Sequence, residues 1–274
     1  MQVATTILQA RALFDVLPRP LGFVPTMGAL HEGHLALVRR AREESTTVGA
    51  SIFINPLQFG ANEDLEKYPR DIEADRAKFS AAGVDVLFLP NQAVMYPPDF
   101  STAVDAGEMG TRFEGAARPT HFRGVTTVVS KLLNIVRPDT LYLGQKDAQQ
   151  TAVLRRMIRD LDIPTHVTIV PTEREADGLA LSSRNVYLSV EERQAAPSLH
   201  HALQALRMAM QMGKSKADAV AAARTRLDPL AQLDYLDVVD ANTFAPIDVL
   251  SPPAFVIGAA RFGSTRLLDN LWIE

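Results

Sequence analysis

Short apolar runs recur along the first 170 residues with helix-patterned segments between them, and no other feature restricts the fold as much. The runs are "LGFVP" (21–25), "VGASIFIN" (48–55), "VDVLFLP" (84–90), "TLYLG" (140–144) and "THVTIVP" (165–171). Rich in Val, Ile, Phe and Leu and bounded by Pro, Gly or Asn, they read as strands buried on both faces. Helical patterning fills 33–45, 64–82, 123–136 and 146–160. In "VTTVVSKLLNIV" apolar residues return every three or four positions, as one helix face requires. The opening "MQVATTILQARALFDVLPRP" reads as an amphipathic helix rather than a cleavable leader. Strand and helix in alternation predict an α/β fold: an open, parallel, doubly wound (Rossmann-like) sheet with right-handed crossovers.

The pattern changes at "EREADGLALSSRN" (173–185), which is polar, charged and contains Gly. Beyond it, "SVEERQAAPSLHHALQALRMAMQMG" opens with Ser189 and Glu192 in capping-box spacing, breaks at Pro197 and stops at Gly213. A helix over 215–227 and the segments "LDYLDVVD" (233–240), "AFVIGAARFG" (254–263) and "TRLLDNLWIE" (265–274) follow. The expected organisation is a Rossmann-like domain over 1–172, a hinge and loop over 173–188, and a smaller C-terminal α+β domain over 189–274.

Three function classes lose ground on composition. The chain has no Cys, which rules out disulfides, thiolate metal sites and a thiol nucleophile. Its 28 basic and 32 acidic side chains give a net charge of -4, without the basic surplus of a nucleic-acid binder. No apolar run approaches the roughly 20 residues that cross a bilayer. A soluble, cytoplasmic protein is expected.

Ligands of open parallel sheets bind outside the carboxyl ends of the strands. "TMGALHEGH" follows the first expected strand, "NPLQFG" the second, "GQKDAQQ" the fourth and "EREADGLALSSRN" the fifth. In "PTMGALHEGH", His31 and His34 stand three apart at a helix start, where free N–H groups and a partial positive charge favour phosphate. Gly28 relieves the turn, and Gly33 allows close approach of a bulky anion. Against a zinc pair, His121, His166, His200 and His201 show no matching spacing; a simple helix cap is the bland alternative. After Gly144, Lys146 and Asp147 open a helix; the lysine can neutralise a polyphosphate, or the two can form a solvated pair. Ser182, Ser183 and Arg184 suit phosphate oxygens, or make a polar loop with a capping serine. Gln58 and Gln150 can both donate and accept, which suits a small hydroxy acid, though either could be a surface residue. Asn55 before Pro56 reads as a turn.

Six stretches in order, "PTMGALHEGH", "FINPLQFG", "RPTHFRGVTTVVSKLLNIVRPD", "GQKDAQQ", "READGLALSSRN" and "TRLLDN", resemble the pantoate–β-alanine ligase (pantothenate synthetase) family. The likeness runs from about Leu21 to the C-terminus, and Gln194 to Asp228 carry little of it. The histidine motif alone resembles only the wider HIGH-type nucleotidyltransferase group. The resemblance implies ATP-dependent ligation of pantoate with β-alanine through a pantoyl adenylate, releasing AMP and pyrophosphate. It implies that ATP contacts fall on Met27, Gly28, Ala29, Leu30, His31, Glu32, Gly33 and His34. Further ATP contacts fall on Gly144, Gln145, Lys146, Asp147, Glu173 (a backbone contact to adenine), Leu181, Ser182, Ser183 and Arg184. Catalysis falls to His34, assisted by His31, and to Lys146 and Arg184. Gln58 is implied for pantoate and β-alanine, and Gln150 for pantoate. The resemblance also implies that Asn55, Glu114 and Arg118 line the same pocket. The family resemblance also implies Mg²⁺, carried mostly on ATP oxygens with Asp75 as a possible helper, and a homodimer. An acidic residue on a helix is usually solvated, which is the plain expectation for Asp75. Leu181 stands where Met is frequent and Gln145 where Glu is frequent. No nucleic-acid or membrane partner is implied.

Another nucleotidyltransferase of this fold would want extra Arg or Lys for an acceptor phosphate, where this chain offers Gln58 and Gln150. A non-catalytic nucleotide sensor would not need the whole set of His, Lys and Arg. A class I tRNA synthetase would need an RNA-binding module, which nothing here resembles. In the ligase reading the C-terminal domain is a lid that carries Ser182, Ser183 and Arg184 over the phosphates.

Overall fold

The computed structural model describes residues 1–60, 63 and 65–274. The chain divides into two compact units, the first formed by Met1–Gly144 and Val153–Val170, the second by Gln145–Ala152 and Pro171–Glu274.

In chain order, the first unit begins with β1 (Gln2–Ala4), α1 (Ile7–Phe14), β2 (Leu21–Thr26), α2 (Glu32–Glu44), β3 (Thr47–Ile52), α3 (Ile72–Ala81) and β4 (Val86–Phe88). After these come α4 (Gln92–Met95), α5 (Glu114–Ala117), α6 (His121–Val136), β5 (Thr140–Gly144), α7 (Ala148–Asp160) and β6 (His166–Val170). Helix α7 starts in the second unit and ends in the first. The sheet is parallel throughout and ordered β1-β4-β3-β2-β5-β6. Strands β2 and β3 pair from Leu21↔Thr47 to Thr26↔Ile52, and β2 meets β5 at Gly22↔Thr140 on its other side. The strand order reverses between β2 and β5, so that is the switch point of the sheet.

Both faces of the sheet are covered. Phe23 points to a core with Phe14, Val125, Leu132, Leu141 and Leu154; its neighbour Val24 points to the opposite core with Leu37, Val38, Phe79, Leu87 and Tyr142. That alternation is the two-residue period of a strand. It explains why the runs read as continuously apolar.

Two expectations change. The N-terminus is not helix alone: Gln2–Ala4 form an edge strand on β4, giving six strands where five were legible. Three residues are too few to display a period. Helix α3 is shorter than the expected 64–82, whose first position lies outside the described residues. Asp71 caps it, its side chain accepting the N–H of Ala74 at 3.0 Å.

The second unit adds α8 (Val190–Ala195), α9 (Ser198–Gln211), α10 (Lys216–Arg224), β7 (Ala231–Asp240), β8 (Ala254–Phe262) and β9 (Thr265–Ile273). Ser189 and Glu192 form the expected capping box. The strands make an antiparallel sheet ordered β7-β8-β9, and Leu199, Leu203 and Leu206 of α9 share a core with Val238, Val256 and Phe262.

Candidate active site

The stretch after β2 is held by a small set of polar bonds. Thr26 Oγ1 donates to the carbonyl of Ser51 at 2.8 Å and accepts the N–H of Gly28 at 3.3 Å. Gly28 (φ 87°) and Ala29 (φ 53°) then take two successive left-handed steps. A side chain at 28 would be strained by that φ, and its Cβ would sit 2.9 Å from Asp75 Oδ2. The turn exposes two consecutive N–H groups to α3: Ala29 and Leu30 donate to Oδ2 and Oδ1 of Asp75, each at 2.8 Å. Lys78 Nζ, one helical turn further on, donates to the Leu30 carbonyl at 2.6 Å. Asp75 is 2% exposed, so the expectation of a solvated carboxylate is overturned. It is a buried anchor, and burial is tolerable because backbone donors satisfy it.

His31 and His34 begin α2 by capping each other. His31 is the N-cap, and its Nδ1 accepts the N–H of Gly33 at 3.2 Å. The Nδ1 of His34 accepts the N–H of His31 at 3.3 Å. This is a capping box with imidazoles in place of hydroxyl and carboxylate. A ring nitrogen that accepts an N–H carries no proton, so both neutral rings are the Nε2–H tautomer. The ring centroids are 4.1 Å apart. The bland alternative of a helix cap and the phosphate reading are thus compatible: Nδ1 caps, and the ring proton sits on the opposite nitrogen.

A second buried network follows β3. Asn55 is 1% exposed. Its Oδ1 accepts from Tyr96 Oη at 2.8 Å and from Leu57 N at 3.3 Å. Its Nδ2 donates to Gln58 Oε1 at 2.9 Å and to the Gly124 carbonyl at 3.1 Å. With the sense of Asn55 fixed, that of Gln58 is fixed too, and Gln58 Nε2 lies 3.2 Å from Met27 Sδ. Helix α6 passes so close that a Cβ on Gly124 would lie 2.2 Å from the Leu57 carbonyl. The Gln58 carbonyl accepts from Arg118 Nη2 at 3.1 Å and from His121 Nδ1 at 3.0 Å. Arg118 is paired with Glu63, Nε to Oε1 at 2.7 Å. Burial, then the Arg118 charge, push His121 down to about 4. Burial pushes the Tyr96 phenol up. Glu114, buried, starts α5. Tyr96 and the role of His121 escaped the sequence reading, because neither has a periodic or motif-level signal of its own.

In the second unit, Gln145–Asp147 form a turn before α7, with Lys146 Nζ 3.6 Å from Asp147 Oδ1. Gln145 Nε2 donates to Asn270 Oδ1 at 3.2 Å. Gln150 is half-buried on α7. Residues 173–181 form a hairpin with Arg174 bridged to Ala180, and the Glu173 carbonyl accepts Leu181 N at 2.9 Å. Ser182 caps the turn Ser183–Tyr187, its Oγ accepting Arg184 N at 3.2 Å. The structure therefore brings Met27–His34, Asn55, Gln58, Glu114 and Arg118 together in the first unit with Gly144 ending β5, and gathers the other candidates in the second. Among the described residues no three His, Asp or Glu side chains form a metal-sized cluster, and Asp75, with both oxygens taken by backbone N–H groups, does not suit a cation. No described helix is long and apolar enough to cross a membrane.

An open parallel sheet with an anion-suited helix start beside its switch point defines an α/β protein whose strand ends suit a ligand. Similarity narrows this. The family model described as pantoate-beta-alanine ligase matches residues 2–272. A pantothenate synthetase of Roseiflexus castenholzii is 50% identical over 277 residues, covering 100% of both chains. The crystal structure of pantothenate synthetase from Thermus thermophilus matches with a TM-score of 0.94 at 50% identity, covering 99% of each chain. A pantoate-beta-alanine ligase of Francisella tularensis, solved in complex with beta-gamma ATP and beta-alanine, matches with a TM-score of 0.82 at 33% identity over 99% of this chain and 97% of that one. The chain belongs to the pantoate–β-alanine ligase family, and it is an enzyme of that family.

Proposed function

We propose that the chain condenses (R)-pantoate with β-alanine, using ATP and passing through a pantoyl adenylate. The observation that carries this reading is the histidine pair: two imidazoles with Nδ1 committed to the backbone and N–H at Nε2, set at a helix start beyond β2. A pantoate carboxylate oxygen attacks the α-phosphorus; the bond to the bridging oxygen breaks and pyrophosphate leaves with the electron pair. His34, assisted by His31, donates hydrogen bonds to the phosphate as charge builds, and Lys146 and Arg184 neutralise the leaving group. The amine of β-alanine then attacks the acyl carbon, the acyl–oxygen bond breaks, AMP leaves and the amine loses a proton. No covalent enzyme intermediate is needed, in keeping with a chain that has no Cys.

ATP is assigned to Met27–His34, Gly144–Asp147, Glu173 and Leu181–Arg184; pantoate to Gln58 and Gln150; β-alanine to Gln58. The ligands reported for the Francisella protein support ATP and β-alanine as the molecules bound. Mg²⁺ would ride on nucleotide oxygens, and no protein ligand is assigned to it. The division at 173–188, the lid action of residues 189–274, a homodimer and a cytoplasmic location belong to the same proposal. The test is pyrophosphate release from ATP and Mg²⁺ with and without pantoate, followed by AMP release on adding β-alanine. Release that ignores pantoate overturns the reading.

A further inference from the structure

The closing motif "TRLLDN" lies on β9, and no step proposed above uses it. Its last two residues are nonetheless polar and almost inaccessible: Asp269 is 5% exposed and Asn270 2%. The Asn270 Nδ2 donates to the carbonyls of Gln145 and Lys146, both at 2.9 Å, while its Oδ1 accepts from Gln145 Nε2. Three bonds fix the sense of this amide and hold the backbone that carries Lys146.

Asp269 does the same for the next loop. It accepts Arg174 as a fork, Nη1 to Oδ2 at 2.7 Å and Nη2 to Oδ1 at 2.8 Å. The same guanidinium reaches the carbonyls of Gly178 at 3.0 Å and Asn270 at 3.1 Å, so it spans the 173–181 hairpin from base to tip. His200 Nδ1 donates to Asp269 Oδ2 at 3.2 Å, and His200 Nε2 accepts from Gln204 at 3.0 Å. Burial works against the Asp269 charge, but the bonds from His200 and Arg174 override it and hold the carboxyl below the usual range.

Stability alone does not call for such a cluster, since well-packed apolar residues often replace a buried ion pair without loss. What it supplies is direction. Asn270 bonds the backbone of the turn that carries Lys146, and Asp269 grips the Arg174 guanidinium that reaches the Gly178 carbonyl in the hairpin leading into Arg184. We infer that Asp269 and Asn270 are positioning residues: they hold the two phosphate-recognising loops of the second unit in one frame without touching the nucleotide themselves. This rests on the proposed use of ATP.

The experiment measures ATP affinity by calorimetry, the pantoate KM, and amide exchange over 145–148 and 174–181. The proteins compared are wild type, Asn270→Ala, Asn270→Asp, Arg174→Lys and Leu267→Val. Asn270→Asp keeps the shape and loses the two donors. Arg174→Lys keeps the charge and loses the fork. Both Asn270 variants are expected to weaken ATP about tenfold or more, with a much smaller change in pantoate KM and loss of protection over 145–148. Arg174→Lys should weaken ATP with loss of protection over 174–181. Leu267→Val, a packing change on the same strand, should lower the melting temperature and leave ATP affinity alone. The inference is overturned if folded Asn270 variants bind ATP within about twofold of wild type, or if Leu267→Val weakens ATP as much. Should both Asn270 variants fail to fold, unchanged ATP affinity in Arg174→Lys overturns it. Wild-type pyrophosphate release that ignores pantoate would instead overturn the functional reading, and loss of ATP affinity would still measure the positioning role.

Discussion

Asp75 Oδ1 accepts the backbone N–H of Leu30 at 2.8 Å across 45 positions of sequence, and its other oxygen takes Ala29. Asp75→Asn keeps the volume and sets an amide N–H₂ against a backbone N–H. One buried bond is lost and one donor stranded, a penalty of about 1–3 kcal/mol. Pyrophosphate release should fall at the same time, because the displaced turn carries His31. Adding Mg²⁺ should restore nothing. Recovery of activity with rising Mg²⁺ would make Asp75 a metal ligand and not an anchor.

His34→Ala removes an Nε2–H donor from the proposed phosphate site. Pyrophosphate release should drop roughly 10²–10³-fold in a protein that remains folded by circular dichroism. Near-normal release from the folded variant would remove the histidine pair from the chemistry.

Gln150→Ala should raise the pantoate KM far more than the ATP KM. Initial-rate kinetics with each substrate varied in turn give the comparison, and equal shifts would move the pantoate pocket elsewhere.

Acid should weaken the fold through His121. Its folded value, about 4, lies below the ordinary histidine value of 6.5, so the unfolded chain binds the proton first as pH falls. Stability is therefore complete above pH 6.5, declines between 6.5 and 4, and levels off below. The full loss is roughly 3 kcal/mol. Urea titrations across this range should show that decline. His121→Asn, which keeps a donor for the Gln58 carbonyl, should flatten it; an unchanged slope would assign the acid sensitivity to other groups.

The 173–187 stretch should answer to ATP unevenly. The hairpin bonds of Arg174 and Glu175 predict protection of 174–181 with or without nucleotide. Ser182–Tyr187 should gain protection when ATP binds, and Arg184→Ala should lose most of that gain. If wild type and Arg184→Ala gain equally in hydrogen exchange, the phosphate contact through Arg184 is wrong.

The sequence made the parallel sheet legible because its strands are buried on both faces and read as unbroken apolar runs. Helices α6 and α9 were legible from period and from caps. The three residues of β1 were hidden by their brevity, and the start of α3 by a capping Asp71 deep inside a segment patterned as one helix. At the site, the histidine spacing and the amides of Gln58 and Gln150 stood out as residue types. The anchoring roles of Asp75, Tyr96 and Asn270 did not, because each rests on a partner far away in sequence. A carboxylate on a helix looks the same in a sequence whether water or the N–H of Leu30 satisfies it.

The capping box built from His31 and His34 means that starting a helix and the proposed recognition of an anion draw on opposite nitrogens of the same two rings. The two tasks can be uncoupled by design. Serine at an N-cap and glutamate three places on are the ordinary partners in such a box. The paired exchange His31→Ser with His34→Glu would therefore rebuild the start of α2 in conventional chemistry while replacing two neutral donors with a hydroxyl and an anion. The result would be an inert scaffold with its architecture kept, against which every other variant of this loop can be measured.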